Sequence, residues 1–245
     1  MSGISNIPSA RNEPVLSYAP GSDERAALKA ALKSQAGQQV DIPVVVGGQE
    51  VRGGNTHDVV SPHCHQRVLA RVHHADTATI QAAVRTAVEA QRDWAHWRFE
   101  DRAAVFLRAA DLLAGARRQL LNAATMLGQS KTAFQAEIDS ACELIDFLRF
   151  NVAFAERIYQ EQPQSVPGAW NRMDHRPLEG FVYAITPFNF TAIGGNLPTA
   201  PALMGNTVVW KPSSTAALSN WHFFELLRDA GLPPGVINFV PGDAV

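Results

Sequence analysis

Three short apolar runs in the last third of the chain constrain its fold more than anything else: Phe181–Phe188 (FVYAITPF), Thr207–Lys211 (TVVWK) and Val236–Val240 (VINFV). Each is too short for a helix and rich in β-branched or aromatic residues. Each is also apolar at consecutive positions, as a parallel strand covered on both faces must be. Two helix-length connections separate them: TAIGGNLPTAPALMGN, stopped at Gly205, and TAALSNWHFFELLRDAGLPP. Strand, crossover, strand, crossover, strand predicts an α/β fold with part of a doubly wound, nucleotide-binding type of sheet. Residues 180–245 form this expected unit. A third strand left bare would expose an apolar edge, so the sheet reads as cut short.

Upstream, residues 1–36 read as a proline-dotted arm followed by a charged helix from Ser22 to Ser34, closed near Gly37. Residues 37–179 read as a further α/β segment. VDIPVVVGGQEV predicts a hairpin about Gly47-Gly48, and RVLARVHHAD a strand. Helices are expected from Asp76 to about Ala95, over Asp101–Ala114 and over Arg117–Leu127. Thr132–Tyr159 predicts one long helix with two apolar lines. Phe134, Ile138, Ala141, Ile145, Leu148 and Val152 keep core spacing, and Glu143, Phe147, Phe150 and Phe154 follow a second line. Asp139, Glu143 and Asp146 read as a solvated acidic face, and Cys142 beside them as a core residue; Glu143, at the head of the aromatic line, is either an edge residue or a contact for something cationic. QEQPQSVPG is a linker or crossover.

Composition removes several function classes. A net charge of −2 over 245 residues gives no electrostatic case for nucleic acid or an anionic membrane. No apolar run approaches the length of a bilayer span, and MSGISNIPSARNEPVL has no secretory core. Two cysteines, Cys64 and Cys142, make no disulfide framework, which points to a reducing compartment and hence the cytoplasm. His63-Cys64-His65 lacks a second ligand cluster at metal spacing, so it reads as a surface turn and no metal is expected.

Neither usual phosphate loop is present, and the glycine pair of Ile193–Asn196 (IGGN) reads as helix packing or a turn. Nucleotide chemistry therefore rests on strand ends. Lys211-Pro212 ends the second strand, and Ser213-Ser214-Thr215 opens the next helix, at the edge where open parallel sheets bind nucleotides. Lys211 there is either a donor to ribose or phosphate or a solvated strand-end lysine. In ITPFNF, Asn189 sits between Phe188 and Phe190 just after Pro187. Its amide is either a donor to negative charge developing on a carbonyl oxygen or the cap of the following helix.

The run from Ile185 to Gly242, ITPFNFTAIGGN through VVWKPSS to INFVPG, resembles the start of the coenzyme domain of aldehyde dehydrogenases. PFNFTAIGGN, NEPVLSYAPGS, KTAFQAEIDSACELIDFLRFN and RPLEGFVYAITPFNF resemble its Δ1-pyrroline-5-carboxylate dehydrogenase branch, and the likeness runs from about Asn12 to the last residue. The resemblance implies NAD-dependent oxidation of L-glutamate γ-semialdehyde to glutamate, in proline degradation. It makes Asn189 the oxyanion donor, Phe190 and Glu143 substrate contacts, and Ile185, Thr186, Pro187, Phe188, Lys211, Pro212, Ser213 and Ser214 the NAD site. Ser214 stands where many members carry a glutamate that bears on discrimination against a 2′-phosphate. The family's nucleophilic cysteine, general-base glutamate and pyrophosphate turn have no match here, so the chain as given is expected to be inactive. The parent protein is expected to be a homo-oligomer. Another semialdehyde, or a non-catalytic nucleotide- or partner-binding module, remains as an alternative.

Overall fold

A computed structural model of the chain describes residues 7–243. Residues 1–6 of the expected arm, and Ala244 and Val245, lie outside it. Pro43 divides the first β-branched run, since it has no N–H to give to a ladder. β1 (Val40–Ile42) and β2 (Val44–Val46) thus join different sheets. β1 runs parallel to β5 (Cys64–His73), which pairs on its other side with β4 (Thr56–Ser61), a strand the sequence reading passed over. The alternation of β4 is weak, with three exposed residues before Val59 is buried.

β2 turns through Gly47 and Gly48 into β3 (Gln49–Val51), the expected hairpin. Both glycines have positive φ, +58° and +80°, which a two-residue hairpin of this hand requires. This hairpin enters the second sheet, whose order is β3-β2-β8-β7-β6, with β6 (Val182–Ile185), β7 (Val208–Lys211) and β8 (Ile237–Phe239). The last three are mutually parallel, as read. The bare outer edge expected for β8 is absent, because β2 covers it antiparallel with Val45 opposite Phe239. Asn238 secures the junction: its Oδ1 accepts from the Gly47 N–H at 2.8 Å.

Helices α1 (Asp23–Ala36), α2 (Thr77–Trp94), α3 (Phe99–Ala114) and α4 (Arg118–Gln129) fall where predicted. Ser22 caps α1, and Asp76 caps α2 by accepting from the Thr79 N–H at 2.8 Å. The predicted long helix is composite: α5 (Ala133–Ala136), a π-helical stretch Glu137–Glu143, then α6 (Leu144–Gln160). A π turn holds an extra residue, so the faces before and after it are out of phase. Ala141, Ile145, Leu148 and Val152 are buried as expected, but Phe134, ahead of the π turn, is 66% exposed. Of the second line, Phe147 and Phe150 are half-buried and Phe154 is exposed. Asp139, assigned to a solvated face, is only 3% exposed. Among residues 161–180 the described chain has no helix or strand, only a bridge between Val166 and Ala169.

The sheet's crossovers are α7 (Thr191–Leu203) and α8 (Ala217–Asp229), the latter entered through a 3₁₀ turn, Ser214–Ala216. Under them Trp210 meets Phe223, Phe224 and Phe239 edge-on, with ring centroids 6.5, 6.4 and 5.1 Å away. The glycine pair of IGGN is helix packing. A Cβ on Gly194 would lie 2.6 Å from Asn220 Oδ1, and one on Gly195 would lie 2.7 Å from Leu144 Cδ1 and 2.8 Å from Phe223 Cε1. Gly195→Ala is therefore expected to lower stability by about 1–3 kcal/mol, read as a shift of the urea midpoint, despite alanine's better helix propensity. A stabilised Gly195→Ala chain would contradict this packing.

Candidate functional site

Register brings the two strand ends of interest together. Ile185 lies opposite Lys211 across β6 and β7, and the Thr186 N–H donates to the Lys211 carbonyl at 3.2 Å. Trp210, from the core, donates its Nε1–H to Thr186 Oγ1 at 3.0 Å, so Thr186 is pinned and buried at 4% exposure. Pro187 then has no N–H to continue the ladder, and the chain bends at Phe188 and Asn189 before α7 begins. Ile185, at the end of β6, and Phe188, Asn189 and Phe190, on the bend, are all exposed. Pro212 is buried, while Ser213 and Ser214 are half-buried, with Ser213 Oγ 3.2 Å from Thr215 Oγ1. Among the described residues Lys211 Nζ has no hydrogen-bond partner.

The alternative role for Asn189, capping α7, is not what this geometry holds. The residue before α7 is Phe190, no side chain of its own caps the helix, and the Asn189 carboxamide bonds to no described residue. Its main chain is nonetheless held. The carbonyl accepts from Lys131 Nζ at 2.6 Å, and that ammonium lies 4.4 Å from the centroid of the Phe190 ring. Lys131 also pairs with Asp139 at 2.5 Å. Asp139 caps α7 from outside, its Oδ2 and Oδ1 accepting from the Thr191 and Ala192 N–H groups at 3.0 Å each. Sequence reasoning missed both residues. Regular helical phasing turned Asp139 outward, and Lys131, though it opens the KTAFQAEIDSACELIDFLRFN stretch, lies in a loop where nothing local shows what it holds.

Glu143 closes the π stretch and is exposed. Burial first, then the charges of Asp139 and Asp146, push its carboxyl above the ordinary range, with Lys131 acting the other way. Glu143 therefore lies within the field of the ammonium that holds Asn189 and Phe190. Cys142 is buried, and burial first and the Glu137 charge second push its thiol up to about 12. Cys64 opens β5 in the other sheet. His63 lies in the β4–β5 turn, its Nδ1 2.9 Å from Ser130 Oγ.

Known proteins match this architecture. Residues 50–245 match the aldehyde dehydrogenase family. The chain is 52% identical over 240 residues to "Delta-1-pyrroline-5-carboxylate dehydrogenase" of Agaricus bisporus, covering 97% of this chain and 44% of that one. It is 53% identical over 232 residues to the mitochondrial protein of that name from Mus musculus, covering 95% and 41%. The crystal structure of the Mycobacterium tuberculosis Delta-pyrroline-5-carboxylate dehydrogenase bound with NAD superposes with a TM-score of 0.97 at 59% identity, covering 99% of this chain and 46% of that one. The chain thus spans less than half the length of these relatives.

Proposed function

This chain belongs to the aldehyde dehydrogenase family, and we propose that it is the amino-terminal part of an NAD-dependent L-glutamate γ-semialdehyde dehydrogenase. The product is L-glutamate, and the semialdehyde arises from Δ1-pyrroline-5-carboxylate. One observation carries the reading: an exposed, unpartnered carboxamide at Asn189, on a braced bend at the carboxyl ends of parallel strands. A neutral N–H donor aimed from such a bend stabilises charge on a carbonyl oxygen as a nucleophile attacks, without itself titrating. The names of the relatives in two kingdoms support the aldehyde, and the NAD-bound neighbour supports the cofactor.

The residues fit a dinucleotide. Lys211 keeps a free ammonium at the end of β7, suited to ribose hydroxyls, opposite the exposed Ile185. Thr186, Pro187, Pro212, Ser213 and Ser214 complete that rim. NAD, when bound there, supplies the hydride acceptor. Phe190 flanks the aldehyde, and Glu143 faces the substrate's ammonium. Glu143→Ala is expected to raise the KM for the semialdehyde about tenfold or more and to leave that for an uncharged aliphatic aldehyde unchanged. Equal effects on both would remove Glu143 from the substrate site.

The 245-residue chain by itself is read as inactive, since its buried Cys142 and its Cys64 in the other sheet offer no nucleophile beside Asn189. The two unpaired cysteines favour a reducing compartment, the cytoplasm for this chain. The exposed Val166, Trp170 and Leu178 of the 161–180 strap favour a homo-oligomeric parent, in which such apolar surface is covered. NADH formation from the semialdehyde tests the assignment, with the protein extended to its relatives' length beside the 245-residue chain. The extended protein is expected to turn over and the short chain not. A silent extended protein sinks the activity, and an active short chain sinks the claim that a nucleophile is missing.

A further inference from the structure

We propose that Lys131 and Asp139 are positioning residues that clamp three consecutive residues, Asn189, Phe190 and Thr191, so that the Asn189 carboxamide alone is left free to meet the substrate; this rests on the oxyanion reading of Asn189. No side chain of the bend caps the helix that follows it. Phe190 offers no acceptor to the first amides of α7, and a helix start left that way has orphaned N–H groups. The missing cap comes from a distant element. The π turn rotates Asp139 inward, where its two oxygens take the Thr191 and Ala192 amides and its charge suits the positive end of the helix.

Lys131 supplies the other half. α4 ends on Ser130 in a left-handed conformation, φ 54°, which hands the chain to Lys131 at once. The Lys131 ammonium bonds Asp139 and the Asn189 carbonyl and lies over the Phe190 ring, so one cation and one carboxylate grip residues 189, 190 and 191 in turn. Thr191 is anchored further, its Oγ1 2.9 Å from Thr125 Oγ1 and 2.8 Å from Gln129 Nε2. A side chain's aim is set by its backbone, and here the Asn189 carbonyl and the two residues that follow it are held while the carboxamide has no described partner. An error of about 1 Å in such a donor costs about 10²-fold in rate.

The test uses the extended protein with Lys131→Met, Lys131→Arg, Asp139→Asn and Asn189→Ala. Lys131→Met is expected to lower kcat about tenfold to 10²-fold with the KM for NAD unchanged, and Lys131→Arg, which keeps a charged donor, to recover most of the loss. Asp139→Asn is expected to speed amide hydrogen exchange in the peptide spanning residues 188–193. Wild-type kcat in Lys131→Met, or failure of Lys131→Arg to recover it, overturns the clamp while Asn189→Ala stays impaired. Unchanged exchange in Asp139→Asn overturns the carboxylate's part. An unimpaired Asn189→Ala overturns the oxyanion reading itself.

Discussion

Arg118→Met is expected to lower the stability of this chain by about 3–5 kcal/mol at neutral pH, the scale for removing one partner of a buried ion pair. Glu137 is fully buried in the π stretch, and Arg118 is 4% exposed. Arg118 donates to both oxygens of Glu137, to Glu13 and to the Pro14 carbonyl. Glu137 also accepts from the Leu16 N–H at 2.8 Å, Tyr18 Oη at 2.7 Å and Asn122 Nδ2 at 2.8 Å. Residues 7–19 form no helix or strand, and these bonds help tie that part of the arm to α4 and the π turn. With the guanidinium gone, a carboxylate would be left in the core with neutral donors only. Chemical denaturation monitored by tryptophan fluorescence measures the loss, and a wild-type midpoint would refute the account.

The pH dependence has a definite sign. Burial alone would raise the Glu137 carboxyl, but hydrogen bonds from Arg118, Tyr18, Leu16 and Asn122 outweigh it and hold the group below the ordinary glutamate range. A depressed carboxyl contributes stability above its unfolded pKa and loses that contribution as pH falls through the folded one. The wild-type contribution is therefore intact at neutral pH and lost only in strong acid. In Arg118→Met burial prevails and the carboxyl rises, so the folded state takes up a proton the unfolded state gives away. The variant's deficit should then shrink as pH drops from 7 toward 5. Tyr18, pushed up to about 12 by burial and the Glu137 carboxylate, stays protonated throughout and keeps donating. The double variant Arg118→Met, Glu137→Leu should recover part of the loss, because the fully buried carboxylate is gone and Glu13 keeps its pairing with Arg149.

These residues also show where sequence reading stops. The parallel strands of the second sheet were legible because doubly covered strands need consecutive apolar residues, and Val208, Val209 and Trp210 supply them. Caps such as Ser22 and Asp76 were legible because the bond is local. The β2–β8 contact was not, since nothing in VVV says which sheet it will join, and Pro43 only says that β1 and β2 must part. Asp139 and Phe134 were misplaced for one reason: seven residues of π-helix shift the helical phase, and no residue type announces a π turn. Asn189 was legible as a candidate through its place after Pro187 and its family likeness. The pair that holds it, Lys131 and Asp139, comes from 58 and 50 residues away in sequence, a separation no local pattern records.

Asn189→Ala in the extended protein is expected to lower kcat by about 10²–10³, or about 2.7–4 kcal/mol of barrier, with the KM for NAD little changed. The split follows from the geometry. The carboxamide touches no described residue, and the proposed cofactor rim lies along β6 and β7, so on that reading only the charge that builds during attack loses its donor. Because the side chain is exposed and unpartnered, the same substitution should move stability by less than about 0.5 kcal/mol, which separates lost chemistry from lost fold. Asn189→Asp should be at least as damaging at neutral pH, since a carboxylate would set negative charge against the developing oxyanion. An amide does not titrate, so removing it should scale the pH–rate profile down without changing its shape. A variant whose profile moved along the pH axis would mean that position 189 acts through a neighbouring acid or base, and the oxyanion role would have to be given up.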